Sequence, residues 1–348
     1  MKAAQVLAAL GTHARDAKEA WDRLDRLLAV GPNDEVSKLA EALTTRAEPA
    51  WLVRSTSKRL MTHLALSASH FDLLLELIAA NRTPWTPVYE LADCVAQRAD
   101  AAAFVKALPQ RERSVEFFAS LLQSLVCHDV DFEAAAEVQV FRDELLERQH
   151  PYAVLPLRRT AVEQTLRLQR LSVSGSSSAG FEFPRSVPAE AVSPQLARVD
   201  HAPDHLGEAT RAWHGSEVLQ VTLDARFAGA LDLRSLPLAS LRGQGLRQAE
   251  TTASEIFTRL FMAAAEGGAY GGARGNAAAR LAAFTSLAAF CDGAPLVDVP
   301  KVAATAEQCR WWLWEGTGWF GNVAWDFGGA CLRPDGLTLV AHAATDTD

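Results

Sequence analysis

Tryptophans and acidic residues are concentrated in one short segment of the C-terminal part of the sequence. Five of the nine tryptophans lie between Trp311 and Trp325, interleaved with glycines and with the acids Glu315 and Asp326. Two carboxylates in an aromatic, water-poor pocket can take separate pKa values and serve as acid and base. Glu315 and Asp326 are therefore candidate catalytic residues, with the reaction and the substrate left open.

The same segment has two other interpretations. Tryptophans beside glycines can form a surface on which a protein partner docks. The candidate contact residues of that surface are Trp311, Trp314, Trp319 and Trp325. Alternatively, the tryptophans belong to a core strand, on which neighbours such as Trp311 and Trp312 cover opposite faces.

A glycine-rich run, Gly267 to Gly275, lies between two predicted helices. The backbone N–H groups of such a loop can hold an anion at the start of a helix, and Arg274 adds positive charge. Tyr270 or Arg274 would then orient a small anionic ligand or substrate. The run lacks the G-x-G-x-x-G spacing and the Gly-Lys-Ser/Thr ending of nucleotide-binding loops. A tightly packed connection between two helices is therefore the alternative.

Asp346 and Asp348 place two side-chain carboxylates beside a terminal one. Oxygen ligands of this kind can bind a divalent cation or a partner, and a frayed, solubilising end is the alternative. We take both residues as candidates for ligand or partner binding. No metal site or cofactor is predicted elsewhere, because Pro203 separates His201 from His205 and no H-E-x-x-H or C-x-x-C pattern occurs.

Composition and charge exclude several classes of protein. The 348 residues are 49% hydrophobic and 22% charged, as in a folded protein rather than a disordered chain. The net charge of −8 argues against nucleic-acid binding. No apolar run approaches the roughly 18–20 residues that span a bilayer, so we expect no membrane insertion. Five widely spaced cysteines fit a reducing compartment, and we expect a cytoplasmic protein.

The length of the chain predicts two domains. Residues 1–170 carry apolar side chains at helical spacing, as at Leu24 and Leu28, and short turns marked by proline. Such helices bury their apolar stripes in a helical bundle or in a HEAT-like stack of helix pairs. Residues 171–215 are rich in serine and proline and are predicted to be a linker. Residues 216–348 mix helix and strand patterns and predict a small α+β domain, within a chain that is mostly α.

A C-terminal β-hairpin is the most specific local prediction. Arg333-Pro334-Asp335-Gly336 has turn chemistry, because proline presets one dihedral angle and Asp-Gly supplies a positive φ. Apolar residues lie on both sides of the turn, and Leu337 to Ala343 is the predicted second strand. We expect Ala344 to Asp348 to leave the edge of the sheet beside the tryptophans.

Several motifs together resemble those of one bacterial family. They are His150-Pro151 with Leu155-Pro156-Leu157, the run Gly267 to Gly272, Trp319-Phe320, Ala324-Trp325-Asp326, Leu332-Arg-Pro-Asp-Gly336 and Ala343-Ala-Thr-Asp-Thr-Asp348. With these motifs the chain resembles an uncharacterised family of high-GC bacterial proteins with a domain of unknown function. The resemblance spans nearly the whole chain and implies that its two halves belong together. It implies no activity, because none is known for the family.

Two functions from different classes stay open at this point. The first is an interaction or scaffold protein, which binds a protein partner through the aromatic surface of its C-terminal domain. It rests on abundant packing signals and on the absence of a catalytic motif such as the G-x-S-x-G elbow. The alternative is an enzyme with a tryptophan-lined acidic pocket in the C-terminal domain.

Overall fold

A computed structural model describes residues 1–11, 17–45, 51–83, 85–177, 183, 191–269, 272, 274–321 and 325–346. The chain divides into two compact units. The first comprises Met1–Val140 and Gln169–Ser177, and the second comprises Phe141–Leu168 and Ser178–Asp348.

This division differs from the predicted one at both boundaries. Residues 141–168 follow the helical pattern of the first half but belong to the second unit, where Arg280 binds the carbonyls of Pro156 and Arg158. The predicted linker, residues 171–215, contains paired strand residues in its described part. A composition rich in serine and proline thus accompanies extended, paired backbone here.

Nine α-helices begin in the described part of the first unit, and the last of them ends in the second. They are α1 (Ala3–Gly11), α2 (Ala17–Val30), α3 (Asn33–Thr44), α4 (Trp51–Leu66), α5 (Phe71–Ala79), α6 (Val88–Ala96), α7 (Ala101–Ala107), α8 (Val115–Cys127) and α9 (Ala136–Glu147). A short antiparallel hairpin of β1 (Arg170–Ser172) and β2 (Gly175–Ser177) completes the unit. The prediction of a helical N-terminal half is confirmed.

Helix α8 forms the middle of the core of this unit. Every residue from Phe117 to Cys127 is buried, so the helix must be enclosed by its neighbours. Ser114 caps its first turn by accepting a hydrogen bond from the N–H of Phe117 at 3.3 Å. No helix in the described part of the chain is both long and apolar enough to cross a membrane.

The second unit is built on a six-stranded antiparallel sheet with three α-helices in its described part. The strands are β3 (Leu196–Asp200), β4 (Gly215–Leu223), β5 (Arg247–Thr251), β6 (Arg310–Glu315), β7 (Asp326–Leu332) and β8 (Thr338–Thr345), and the helices are α10 (Ala253–Glu266), α11 (Gly275–Cys291) and α12 (Val299–Gln308). The strand order across the sheet is β3-β4-β8-β7-β6-β5. The predicted α+β character of the C-terminal part is confirmed.

The predicted hairpin is formed by β7 and β8. Leu332 pairs with Leu339 across the turn, and the Asp335 carboxylate accepts hydrogen bonds from the N–H groups of Leu337 and Thr338 at 2.7 and 2.9 Å. The expectation that the chain leaves the sheet at an edge after Ala343 is wrong. Strand β8 continues to Thr345 and pairs with β4 on its other side, so it is a central strand.

Strand β6 separates two apolar layers because successive side chains point to opposite faces of the sheet. On one face, Trp311 contacts Phe290 of α11, and its indole N–H donates to the Ala306 carbonyl of α12 at 2.8 Å. On the other face, Trp312 and Trp314 belong to a core cluster with leucines of β4, β7 and β8 and of the segment from Leu231 to Leu241. The strand therefore anchors two cores at once.

A buried ion pair joins α11 to the segment that precedes the sheet. The side chains of Arg280 and Glu163 are both fully buried and form two hydrogen bonds, at 2.7 and 2.9 Å. The guanidinium also donates to the carbonyls of Pro156 and Arg158, each at 2.9 Å. Glu163 accepts a further hydrogen bond from the N–H of Thr160 at 2.8 Å. Every strong donor of the buried cation thus has an acceptor.

Removal of one partner of this pair will strongly destabilise the second unit. We expect Arg280→Met to lower the free energy of unfolding by about 3–5 kcal/mol, because it leaves Glu163 buried without its counter-ion. The matched control is Glu250→Gln, which breaks a half-exposed pair with Arg310 and will cost about 1 kcal/mol or less. Urea unfolding followed by tryptophan fluorescence measures both. Equal losses of stability in the two variants would contradict the conclusion that the Arg280–Glu163 pair is a buried ion pair on which the second unit depends.

Candidate functional site

The register of two central strands brings a histidine and an aspartate together. Gly215 at the start of β4 pairs with Thr345 at the end of β8. The next residues outward, His214 and Asp346, therefore lie side by side although they are 132 residues apart in the chain. Their side chains meet at 2.5 Å, between Nδ1 of the ring and Oδ1 of the carboxylate.

The carboxylate of Asp346 is held by several donors. Its side chain is fully buried, and its second oxygen accepts a hydrogen bond from the N–H of Ala269 at 2.7 Å. The N–H of Asp346 itself donates to the Trp325 carbonyl at 2.9 Å. Burial alone would raise the pKa of Asp346, but the hydrogen bonds from the His214 ring, from Ala269 and from the His214 N–H keep it below its usual value.

His214 differs from Asp346 in its exposure to solvent, since 70% of its side-chain surface is accessible. An ionised carboxylate only accepts hydrogen bonds, so Nδ1 of His214 carries the proton that faces Asp346. Proton exchange with a substrate would then pass through Nε2, on the opposite side of the ring. A histidine whose tautomer and orientation are fixed by a buried carboxylate is the usual arrangement of a general base.

The glycine-rich run lets the loop after α10 approach the dyad closely. Gly267 ends α10 in the left-handed conformation, and Gly268 follows with φ +82°. A Cβ on Gly268 would lie 2.3 Å from Oδ2 of Asp346 and 2.7 Å from Cδ1 of Trp213. These two glycines therefore serve the packing around Asp346.

Trp213 adds an unsatisfied donor beside the dyad. Its side chain is buried, and among the described residues its indole N–H has no hydrogen-bond partner. The Cβ position of Gly268 lies 3.0 Å from the indole nitrogen, which places this donor next to the same loop. A buried donor without an acceptor carries a free-energy cost.

The segment that carries His214 is anchored from two sides. The N–H of Ala209 donates to Oγ of Ser286 in α11 at 3.0 Å. Thr210 bonds at 2.8 Å to Nε2 of His342 in β8, whose Nδ1 donates to the Glu217 carbonyl at 3.0 Å. Burial lowers the pKa of His342 to about 4, so this ring is neutral near pH 7 and holds the segment as a structural contact.

Glu315 and Asp326 do not form the predicted acid–base pair. Glu315 is bound by Arg247, whereas Asp326 accepts a hydrogen bond from Oγ1 of Thr345 at 2.6 Å. Leu313 pairs with Gly329 across β6 and β7, and alternation from this pair places the two acids on opposite faces of the sheet. The two carboxylates therefore do not share a pocket.

The predicted aromatic docking surface needs correction for two of its four members. Trp311 and Trp314 are each 1% exposed and lie in the two cores beside β6, as the core-strand interpretation has it. Trp319 and Trp325 are half-buried. Trp319 packs against the core cluster of Trp312 and Trp314, and the backbone of Trp325 contacts Asp346.

The remaining predicted residues divide into two groups. Arg274 forms an ion pair with Glu208 at 3.2 Å, and Arg211 binds the other oxygen of the same carboxylate at 2.7 Å. Asp346 is in the site, as described above. Tyr270 and Asp348 lie outside the described residues. Within the described part of the chain, no group of three or more histidine, cysteine or acidic side chains could hold a metal ion.

Sequence reasoning missed His214, Trp213 and Ala269. One signal is present in the sequence: aliphatic and polar residues alternate from Glu217 to Asp224, which predicts a strand just after His214, and Asp346 lies just after the predicted strand Leu337 to Ala343. Antiparallel pairing of those two strands would place both residues at one end of the sheet. The pairing itself, which skips the three strands and three α-helices described between β4 and β8, has no local signal.

Comparison with known proteins places the chain in one family. A family model described as "Family of unknown function (DUF6183)" matches residues 18–348. No curated protein and no solved structure matches the chain.

Substitution of Gly268 will disturb the dyad in a way that backbone strain alone does not explain. We expect Gly268→Ala to lower the free energy of unfolding by about 1–3 kcal/mol more than Gly243→Ala does. Gly243 also has a positive φ, +100°, but no atom lies within 4 Å of its Cβ position, so it controls for strain. Urea unfolding gives both values, and equal losses would contradict the close approach to Asp346.

The neutral state of His342 predicts a pH dependence of stability. The unfolded chain takes up a proton near pH 6.5, whereas the folded chain does so only near pH 4. The neutral His342 ring contributes fully to the free energy of unfolding above pH 6.5. This contribution is lost as the pH falls toward 4, by about 3 kcal/mol in total. In urea unfolding from pH 7.5 to 4.5, His342→Gln will lose less stability than the wild type. The control His201→Gln, at an exposed position, should keep the wild-type slope.

Proposed function

We propose that the second unit of this chain, which belongs to the family of unknown function DUF6183, carries an enzyme active site. The proposal rests on the geometry of the site alone. His214 is the general base of this site, and Asp346 orients its ring and balances the positive charge that the ring acquires. The observation that carries the proposal is the 2.5 Å contact between Nδ1 of a mostly exposed ring and a fully buried carboxylate.

Three features support a catalytic rather than a structural role for the dyad. A structural ion pair gains little from one buried and one exposed partner, since the exposed charge is screened by water. Catalysis needs this combination, because the base must meet the substrate while its orienting group stays fixed. The indole N–H of Trp213, which has no partner in the described part of the chain, and the tight turn at Gly268 lie beside the same carboxylate.

The simplest reaction for such a site is hydrolysis of an ester bond. Nε2 of His214 takes a proton from water, the water oxygen attacks the electrophilic carbon or phosphorus, and the proton then passes to the leaving group. Asp346 stays ionised and stabilises the imidazolium that forms in between. Arg274 and Arg211 share Glu208 and together keep one net positive charge, which would orient an anionic substrate.

Hydrolysis of simple chromogenic esters tests this proposal. The intact chain is assayed with p-nitrophenyl acetate, p-nitrophenyl phosphate and bis(p-nitrophenyl) phosphate. We expect turnover of at least one ester, with kcat/KM lower by about 100-fold or more in His214→Gln and by about tenfold or more in Asp346→Asn. The exposed His201→Gln variant should match the wild type. Turnover by none of the three, or equal turnover by His214→Gln, would contradict the proposal.

A specific observation also favours docking of a protein partner, now through the first unit. Trp51 and Trp85 are 56% and 41% exposed, and the guanidinium of Arg54 lies 4.8 Å from the ring centre of Trp85. Trp85 has φ +116°, a strained conformation for a bulky residue that tends to persist where function requires it. Exposed tryptophan and arginine are common anchors of interfaces. A HEAT-like arrangement of the nine helices would suit this second role.

A further inference from the structure

The first unit contains an apolar cleft that the proposed active site does not use. Its volume is about 330 Å³, and it lies among α4, α5, α6, α7 and α8. Phe104 and Leu121 are buried at its base, and Phe71, Val95 and Ala103 line its sides. Clefts of this size with mostly apolar walls are the usual form of small-molecule sites.

A second cleft with polar and cationic walls adjoins the first. Its volume is about 550 Å³, and the two clefts share Ser67 and Arg98 in their walls. Arg170, His63 and Gln97 also line the second cleft. Arg98 therefore lies where an apolar surface meets a cationic one.

The cationic groups of these clefts have no anionic partner within the described part of the chain. The guanidinium groups of Arg98 and Arg170 form no hydrogen bond or ion pair there, and neither does the ammonium group of Lys106 on the rim of the apolar cleft. Among the described residues, Asp72 is the acidic side chain that lines the apolar cleft, and no acidic side chain lines the cationic cleft. The pair of clefts thus carries an excess of unneutralised positive charge.

Gln97 holds one wall of the cationic cleft in place. Its Oε1 accepts a hydrogen bond from the N–H of Leu171 at 3.1 Å, which fixes the orientation of the amide. Its Nε2 is buried and has no partner among the described residues. The bond to Leu171 joins the residue that follows α6 to β1 and so fixes the wall between these two elements.

We propose that the first unit binds a small amphipathic anion, a free medium-chain fatty acid. The hydrocarbon tail lies in the apolar cleft, which has room for about ten non-hydrogen atoms at about 30 Å³ each. The carboxylate lies in the cationic cleft, where it accepts hydrogen bonds from Arg98 and Arg170. Arginine suits this role because its planar group binds both oxygens of a carboxylate.

Titration calorimetry of the intact chain with sodium decanoate, below its micelle concentration, tests the proposal. Ala103→Phe fills the apolar cleft at an exposed helix position, and Ala102→Phe adds the same ring to the neighbouring exposed residue, which does not line it. Arg98→Gln removes the cation shared by both clefts, and Arg113→Gln removes an exposed arginine that lines neither. Uncharged 1-decanol reports the contribution of the carboxylate.

We expect decanoate to bind the wild type and both control variants with equal affinity. Arg98→Gln should weaken binding by about tenfold or more, since a hydrogen-bonded charge is lost, and Ala103→Phe should abolish it. The affinity for 1-decanol should be about one-tenth of the affinity for decanoate, or lower still. Absence of decanoate binding to the wild type, undiminished binding by Ala103→Phe, or equal binding of decanol would each overturn the proposal. The ester assay on His214 does not depend on this outcome.

Discussion

The fully buried guanidinium of Arg280 is the constraint on which the packing of the second unit depends. A cation in a dry interior is tolerated only when its acceptors are in place, and here they come from Glu163, Pro156 and Arg158. Helix α11 is thereby fixed against the segment that precedes the sheet. The same helix holds the segment of His214 through Ser286, and it presents Phe290 to Trp311. The geometry of the dyad therefore depends on a charge that takes no part in its chemistry.

Local pattern and long-range pairing contributed unequally to what could be predicted. The helical stripes of the first half and the turn around Asp335 depend on neighbours in sequence, and both are present. Glu315 and Asp326 were predicted as a pair from proximity in sequence, but the alternation of strands sends them to opposite faces of the sheet. His214 and Asp346 are 132 residues apart, and only the pairing of β4 with β8 brings them together. Residues 141–168 lie in the second compact unit for the same reason, since Arg280, which binds Pro156, Arg158 and Glu163, lies far along the chain.

The two candidate sites rest on different physical terms. In the second unit the dyad is directional, since one proton and two oxygens define its geometry. In the first unit, apolar area would provide affinity and the unpaired cations would provide selectivity for a charged head group. Glycine has a role at the dyad because the loop must pass close to Asp346. At the cleft, alanine has the comparable role, since Ala103 leaves room that a larger side chain would fill.

The central position of β8 has a consequence for folding kinetics. Strand β4 cannot complete its hydrogen bonds until β8, more than a hundred residues later, has reached it, and closing so long a loop slows folding. Until then the hairpin of β3 and β4 has an open edge on the side that β8 will cover, and the leucines of β4 that belong to the later core are uncovered. An open strand edge beside apolar side chains is a template for association with other chains. The refolding yield of this protein should therefore fall as protein concentration rises, even where the native state is stable.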